Sequence, residues 1–127
     1  MKEQSLHQQI VDYIKYQYPK VLFRTDFAAG IKMSIGQAIK HKKLQKCKAW
    51  PDLFIAEPIG DFKGLFIELK IREREVFLKD GRLVRSSHIE QQLSVLIELQ
   101  YKGYYSIFGF GFDHTKKVID NYLNGLL

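Results

Sequence analysis

A chain of 127 residues, 46% hydrophobic and 27% charged, can build one globular core and is too apolar for a disordered polyelectrolyte. Twenty Lys and Arg against fourteen Asp and Glu give a net charge of +6, a balance that suits a polyanionic partner. A single cysteine excludes an internal disulfide framework, and no apolar run approaches the roughly 18 residues that span a bilayer. These totals predict one domain over 1–127, soluble and cytoplasmic, with no membrane association.

Leu6, Ile10, Tyr13 and Ile14 recur at helical spacing, which predicts an amphipathic helix over 4–18, ended by Pro19. A short strand follows at 21–25. Residues 33–48 read as a basic helix whose weak point is Gly36. Strands at 52–57 and 63–70 flank a turn at Pro58, Gly60 and Asp61. Over 76–84, two β-prone triplets flank Asp80-Gly81, a type I′ hairpin signal, and predict an arm projecting from the body. Ser87 and Glu90 form a capping box for a helix over 88–102, closed by Gly103. A strand at 104–110 and a last helix capped by Asp113, with Val118, Ile119, Tyr122 and Leu123 on one face, complete the chain. The order predicts an α/β fold around a small mixed sheet flanked by helices, with a β-hairpin arm and a C-terminal helix.

Charge is distributed unevenly along this series. From Lys32 to Lys48 the chain carries Lys40, His41, Lys42, Lys43 and Lys46 with no acid, and Arg72, Arg74, Lys79 and Arg82 form a second run. Either run reads as a solvated face or as a set of phosphate contacts. The arm, with basic flanks and the apolar residues Val76, Phe77, Leu83 and Val84, reads as a DNA contact or a dimer contact. The need to cover those side chains favours the dimer.

Three charged residues enter the apolar strands at 52–57 and 63–70. Alternation puts Glu68 and Lys70 on one face of their strand, with α-carbons roughly 6.5 Å apart. Asp52 opens the preceding strand, and two strands joined by a short turn pair about 4.8 Å apart, which can bring Asp52 beside Glu68. Two converging carboxylates repel unless a cation sits between them, and Mg²⁺ suits oxygen ligands while keeping open positions. Lys70 beside them can orient a water and offset charge growing on a phosphate. Seen alone, Glu-x-Lys on an edge strand is also how an exposed ion pair reads. Glu3, three residues before Leu6, falls on the predicted buried stripe, or serves only the helix dipole. Gln92, between Ile89 and Leu96, lies on an apolar helix face and needs a polar partner, unless it is half exposed. His7, His41, His88 and His114 show no zinc spacing with one another or with Cys47, so no zinc site is predicted.

With these residues in order, the chain resembles the PD-(D/E)XK nuclease superfamily, and within it the virus-type replication-repair nuclease (VRR-NUC) family of stand-alone phage and bacterial type. Pro51-Asp52 stands for the PD, Glu68-Leu69-Lys70 for the (D/E)XK, Gln92 for the family glutamine and Glu3 for the acid opening the first helix. The resemblance implies a restriction-endonuclease-like αβββαβ core and cleavage of DNA phosphodiesters with Mg²⁺ or Mn²⁺. It further implies that Asp52, Glu68 and the Leu69 backbone carbonyl ligate the metal, that Lys70 assists the water, and that Glu3 and Gln92 complete the site. Some stand-alone relatives are dimers acting on four-way junctions, which implies branched DNA and a homodimer here. One departure is the longer stretch between Lys70 and Gln92, where the hairpin lies. Lys40, Lys42, Lys43, Lys46, Arg72 and Arg74 are the expected nucleic-acid contacts, and no small-molecule cofactor is expected. The rival reading is a nucleic-acid-binding module that keeps the fold without the chemistry. A sequence-specific restriction-type enzyme lacks a visible recognition region in so short a chain.

Overall fold

The computed structural model describes residues 1–26 and 34–127. Helix α1 spans Glu3–Gln17, and Leu6, Ile10 and Ile14 form its buried stripe. Strands β1 (Phe23–Thr25), β2 (Leu53–Ile55), β3 (Leu65–Lys70) and β4 (Tyr105–Phe110) make one sheet in the order β1-β2-β3-β4. The first three run antiparallel, and β4 lies parallel to β3. A parallel return needs a crossover, and α3 (Ser87–Tyr101) supplies it. Helix α2 (Ile35–Lys43) sits between β1 and β2, and α4 (Gly111–Leu123) follows β4. The result is a mixed α/β fold with helices on both faces of a four-stranded mixed sheet, in αβββαβ order apart from the inserted α2 and the C-terminal α4.

Strand alternation divides the core in two. Leu53, Ile55, Leu65, Ile67 and Leu69 face α1 and α4, where they meet Leu6, Ile10, Ile14, Val118, Ile119 and Tyr122. Each such aliphatic burial contributes about 1.5–3 kcal/mol, so this face anchors the sheet. The opposite face packs Phe108 against Ile89 and Leu96 of α3 and against Val76. Central β3 is buried along its entire length. Its polar members, Glu68 and Lys70, therefore lie inside the protein rather than on a solvated edge.

Several local expectations change. Helix α2 is shorter than 33–48. Met33 and Lys32 lie outside the described residues, Ser34 caps the start through a reciprocal box with Gln37, and the helix ends at Lys43. Its last turn is Lys40, His41, Lys42 and Lys43, cations placed where the helix dipole favours them. The cap of α3 is Ser86, whose hydroxyl accepts from the Ile89 amide, and not Ser87. Helix α4 starts at Gly111 without a side-chain cap. Asp113 sits in its first turn, and His114 Nδ1 accepts from the Phe110 amide. Gly103 (φ +99°) does close α3: its amide bonds the Gln100 carbonyl and the Tyr104 amide bonds that of Leu99, a Schellman pair that needs a left-handed residue.

The segment 76–84 is the largest correction. Its hairpin shrinks to one bridge, Phe77 with Leu83, and Asp80 keeps a negative φ, so the turn is not type I′. A 3₁₀ turn at Glu73–Glu75 folds the segment back onto the body. Val76 is wholly buried, and Phe77 and Leu83 pack against the α3-side core. The arm does not project, and the apolar side chains that favoured a dimer contact find cover within the chain. Among the described residues, no helix is long and apolar enough to cross a membrane.

Candidate active site

The antiparallel register pairs Leu53 with Ile67, which sets Asp52 across from Glu68. Asp52 is buried, and its Oδ2 accepts from the Leu69 amide at 2.8 Å. Helix α3 reaches the same place from the other layer: Gln92, also buried, donates from Nε2 to Glu68 Oε1 at 2.9 Å. Lys70 follows Glu68 on the same strand face and is buried too. Asp52, Glu68, Lys70 and Gln92, drawn from two strands and a helix, thus gather at the C-terminal end of β3.

The electrostatics of this group are unfavourable as it stands. Burial pushes the Glu68 carboxyl up to about 10, the Asp52 charge and hydrogen bond push the same way, and Lys70 offsets only part of this. Asp52 is also raised by burial, against the opposing hydrogen bonds from Glu68 and the Leu69 amide. With no cation bound, the pair therefore holds a proton at neutral pH.

Glu3 differs from expectation. It is not on the buried stripe; its side chain is 54% exposed. The stripe residue one turn on is His7, whose Nε2 lies 3.8 Å from Glu3 Oε1 and 4.0 Å from Asp52 Oδ2. The available signal was a buried-phase His four residues after an acid, one position past Leu6. His88 was also missed, and its Nε2 lies 3.0 Å from Gln92 Nε2, one helical turn away.

These residues fit a divalent cation. Glu3, His7 and Asp52 each offer a ligating atom, and the three atoms lie within 4.8 Å of one another. Asp52 is shared between this trio and the carboxylate pair with Glu68. Gln92 Oε1 is buried and, among the described residues, has no hydrogen-bond partner. A cation would relieve the pair of its proton and its repulsion together. The histidine widens the donor set beyond the all-oxygen group of the sequence reading.

The expected nucleic-acid contacts fall in two places. Lys40, Lys42, Lys43 and Lys46 are exposed on α2 and just beyond it, and Arg72 and Arg74 are exposed after the end of β3. Lys46 and His41 also line a cavity bounded by Trp50, Phe54, Phe66 and Tyr104.

No protein-family profile matches the chain, and no curated protein does. The fold does have a solved counterpart. A structure described as a VRR_NUC domain protein superposes with a TM-score of 0.66 over 98% of this chain and 89% of its own, at 20% sequence identity. At that identity the likeness is one of architecture: the two chains share the mixed sheet and flanking helices described above.

Proposed function

We propose that residues 1–127 form one metal-dependent nuclease domain that hydrolyses DNA phosphodiester bonds, selecting branched or otherwise non-duplex DNA. The observation that carries this reading is the buried Asp52–Glu68 pair, with Lys70 and Gln92 beside it, at the end of the central strand. A purely structural role would not leave two carboxylates sharing a proton in the interior, because apolar residues of similar size would be more stable there. The shared fold of a VRR_NUC domain protein supports the same reading.

Asp52, Glu68 and the Leu69 carbonyl, with Glu3 and His7 on the outer side, would hold Mg²⁺ or Mn²⁺. When bound, the ion supplies Lewis-acid stabilisation of the phosphate and lowers the pKa of water. The chain's own residues do the rest. Lys70 offsets negative charge growing on the non-bridging phosphate oxygens and orients the attacking water by hydrogen bonding. Gln92 fixes the Glu68 carboxylate through its amide N–H, and His88 in turn holds that amide. The Leu69 amide fixes Asp52 in the same way. Exposed Lys40, Lys42, Lys43, Lys46, Arg72 and Arg74 would contact phosphates flanking the scissile one.

The test is cleavage of end-labelled single strand, duplex, flap and four-way junction with Mg²⁺ or Mn²⁺, beside Lys70→Ala. We expect metal-dependent cuts that fall about 10²–10³-fold in the variant. Equal activity in both proteins removes the assignment, and tight binding without any cleavage favours the binding-module reading. Sedimentation in the same buffers tests the homodimer, which would set two sites on symmetric strands.

A further inference from the structure

We infer that the cavity beside the carboxylate pair is a stacking site for one unpaired nucleobase of the nucleic acid being cut. The cavity measures about 730 Å³, within the range of about 300–1,000 Å³ typical of small-molecule sites. Four aromatic side chains shape it. Phe54 and Phe66, paired across β2 and β3, stack with centroids 4.4 Å apart. Trp50 stands edge-on to Phe66 at 5.2 Å, and Tyr104 stands edge-on to Phe66 at 5.1 Å and to Phe54 at 6.1 Å. The four rings touch one another and form a continuous aromatic wall, the cage side of the cavity. Trp50 is 45% exposed, a large apolar surface left to solvent where a ligand would cover it.

Two further observations choose the occupant. The rim is cationic: Arg24, Lys46 and Lys102 outnumber Asp26 and Glu98. Aromatic faces beside cations match a base with its adjoining phosphate, whereas an apolar peptide or lipid gains nothing from the rim. The cavity also adjoins the carboxylate pair through neighbouring residues. Pro51 lines it and directly precedes Asp52, while Phe66 lies two residues before Glu68 on the same face of β3, roughly 6.5 Å away. A nucleotide whose base enters the cage therefore adjoins the phosphate presented to Asp52 and Glu68. A base in an intact duplex is stacked and paired and has no free face. This deepens the proposed function and rests on it: the cage restricts cutting to DNA with an unpaired nucleotide at the cut, such as flaps, gaps and junction centres.

Trp50 is the only tryptophan, so its fluorescence reports on the cage directly. The full chain in EDTA is titrated with a short oligothymidylate, with an abasic oligonucleotide of equal length and charge, and with a blunt duplex. We expect the intact single strand to quench Trp50 and to bind about tenfold tighter than the abasic strand. The duplex should leave Trp50 unquenched. By anisotropy, Tyr104→Ala should erase the difference between intact and abasic strands while Tyr104→Phe keeps it, with circular dichroism verifying the fold of both. Equal affinity and equal quenching for intact and abasic strands overturn the proposal, as does an unchanged preference in Tyr104→Ala. Because the titration needs no cleavage, the two readings fail separately. Base-dependent quenching in a protein that cuts nothing keeps the cage and removes the nuclease. Metal-dependent cleavage with no base dependence does the reverse.

Discussion

Two carboxylate centres in this fold are treated in opposite ways. On α4, Asp120 accepts from Tyr13 at 2.6 Å, Tyr18 at 2.7 Å and Lys116 at 2.8 Å, and the Lys116 ammonium also lies over the Tyr13 ring. Burial alone would raise this acid, but the three donors outweigh it and hold Asp120 below the usual aspartate range. In turn the tyrosines are raised, chiefly by burial and then by the bond to Asp120, Tyr13 to about 12. Across the molecule, Asp52 and Glu68 are more deeply buried and receive fewer donors, one amide and one glutamine, so both are raised. One acid ties α1 to α4 and is satisfied within the chain. The other pair is left short of positive charge, and the proposed cation site rests on that difference.

Substitution should pull these two centres apart, and most strongly at Glu68. Glu68→Gln should lower cleavage by about 10³-fold and yet raise the metal-free Tm at pH 8 by about 5 °C, since the amide needs no proton. The sign follows from the raised carboxyl. Stability from protonated Glu68 is full below its ordinary 4.5 and drains as the pH rises towards about 10. In calorimetry with EDTA the variant should lose most of that slope, with Asp52 leaving the remainder. A Glu68→Gln protein less stable than the parent at pH 8 would mean the pair is structural after all.

Next in size is His7→Ala. Loss of a donor from the Glu3, His7 and Asp52 trio should weaken Mn²⁺ binding about tenfold or more, read as a shift in the concentration that raises Tm. An unchanged Mn²⁺ midpoint would confine the metal to Asp52 and Glu68.

Asp120→Asn should do the opposite of Glu68→Gln. It removes a charged acceptor from three donors and should cost about 2 kcal/mol at pH 7, with cleavage within about twofold of the parent once folded. Because the Asp120 carboxyl is lowered, its contribution is present above the ordinary 3.8 and is lost as the pH falls below it. Parent and variant should therefore converge in acid. A variant that loses cleavage in proportion to Glu68→Gln would erase the contrast between the two centres.

The smallest effect concerns the exposed cations of α2. Replacing Lys42 and Lys43 by Ala should lower the slope of log affinity against log salt by nearly 2 and leave Tm unmoved, because neither side chain is buried. An unaltered slope assigns that face to solvent.

Much of the fold could be read from the chain. The stripe of Leu6, Ile10 and Ile14, the alternation in 65–70 and the glycine at 103 report local rules of period and backbone conformation, and each element stands where those rules place it. Caps were less legible, since adjacent serines 86 and 87 offer the same hydroxyl and it is Ser86 that caps α3. The segment 76–84 was misread because its apolar triplets look alike whether they line an arm or fold inward. The buried place for Val76 exists only once β4 and α3 are assembled. Within the candidate site, the proximity of Asp52 to Glu68 followed from one short turn and strand pairing. The position of Glu3 did not: Glu3 and His7 lie one turn apart on the same side of α1, but Glu3 is the first residue of the helix, and burial starts only at Leu6 and His7.

What the sequence determined by itself is the set of elements and the presence of Asp52, Glu68 and Lys70 in apolar strands, because helical and strand periodicities are local properties. Beyond Asp52 and Glu68, the tertiary structure decided which groups share a volume. His7, Gln92 and the aromatic faces of Trp50, Phe54, Phe66 and Tyr104 come from distant parts of the chain. Their convergence depends on sheet register and helix packing, which depend on the whole core at once.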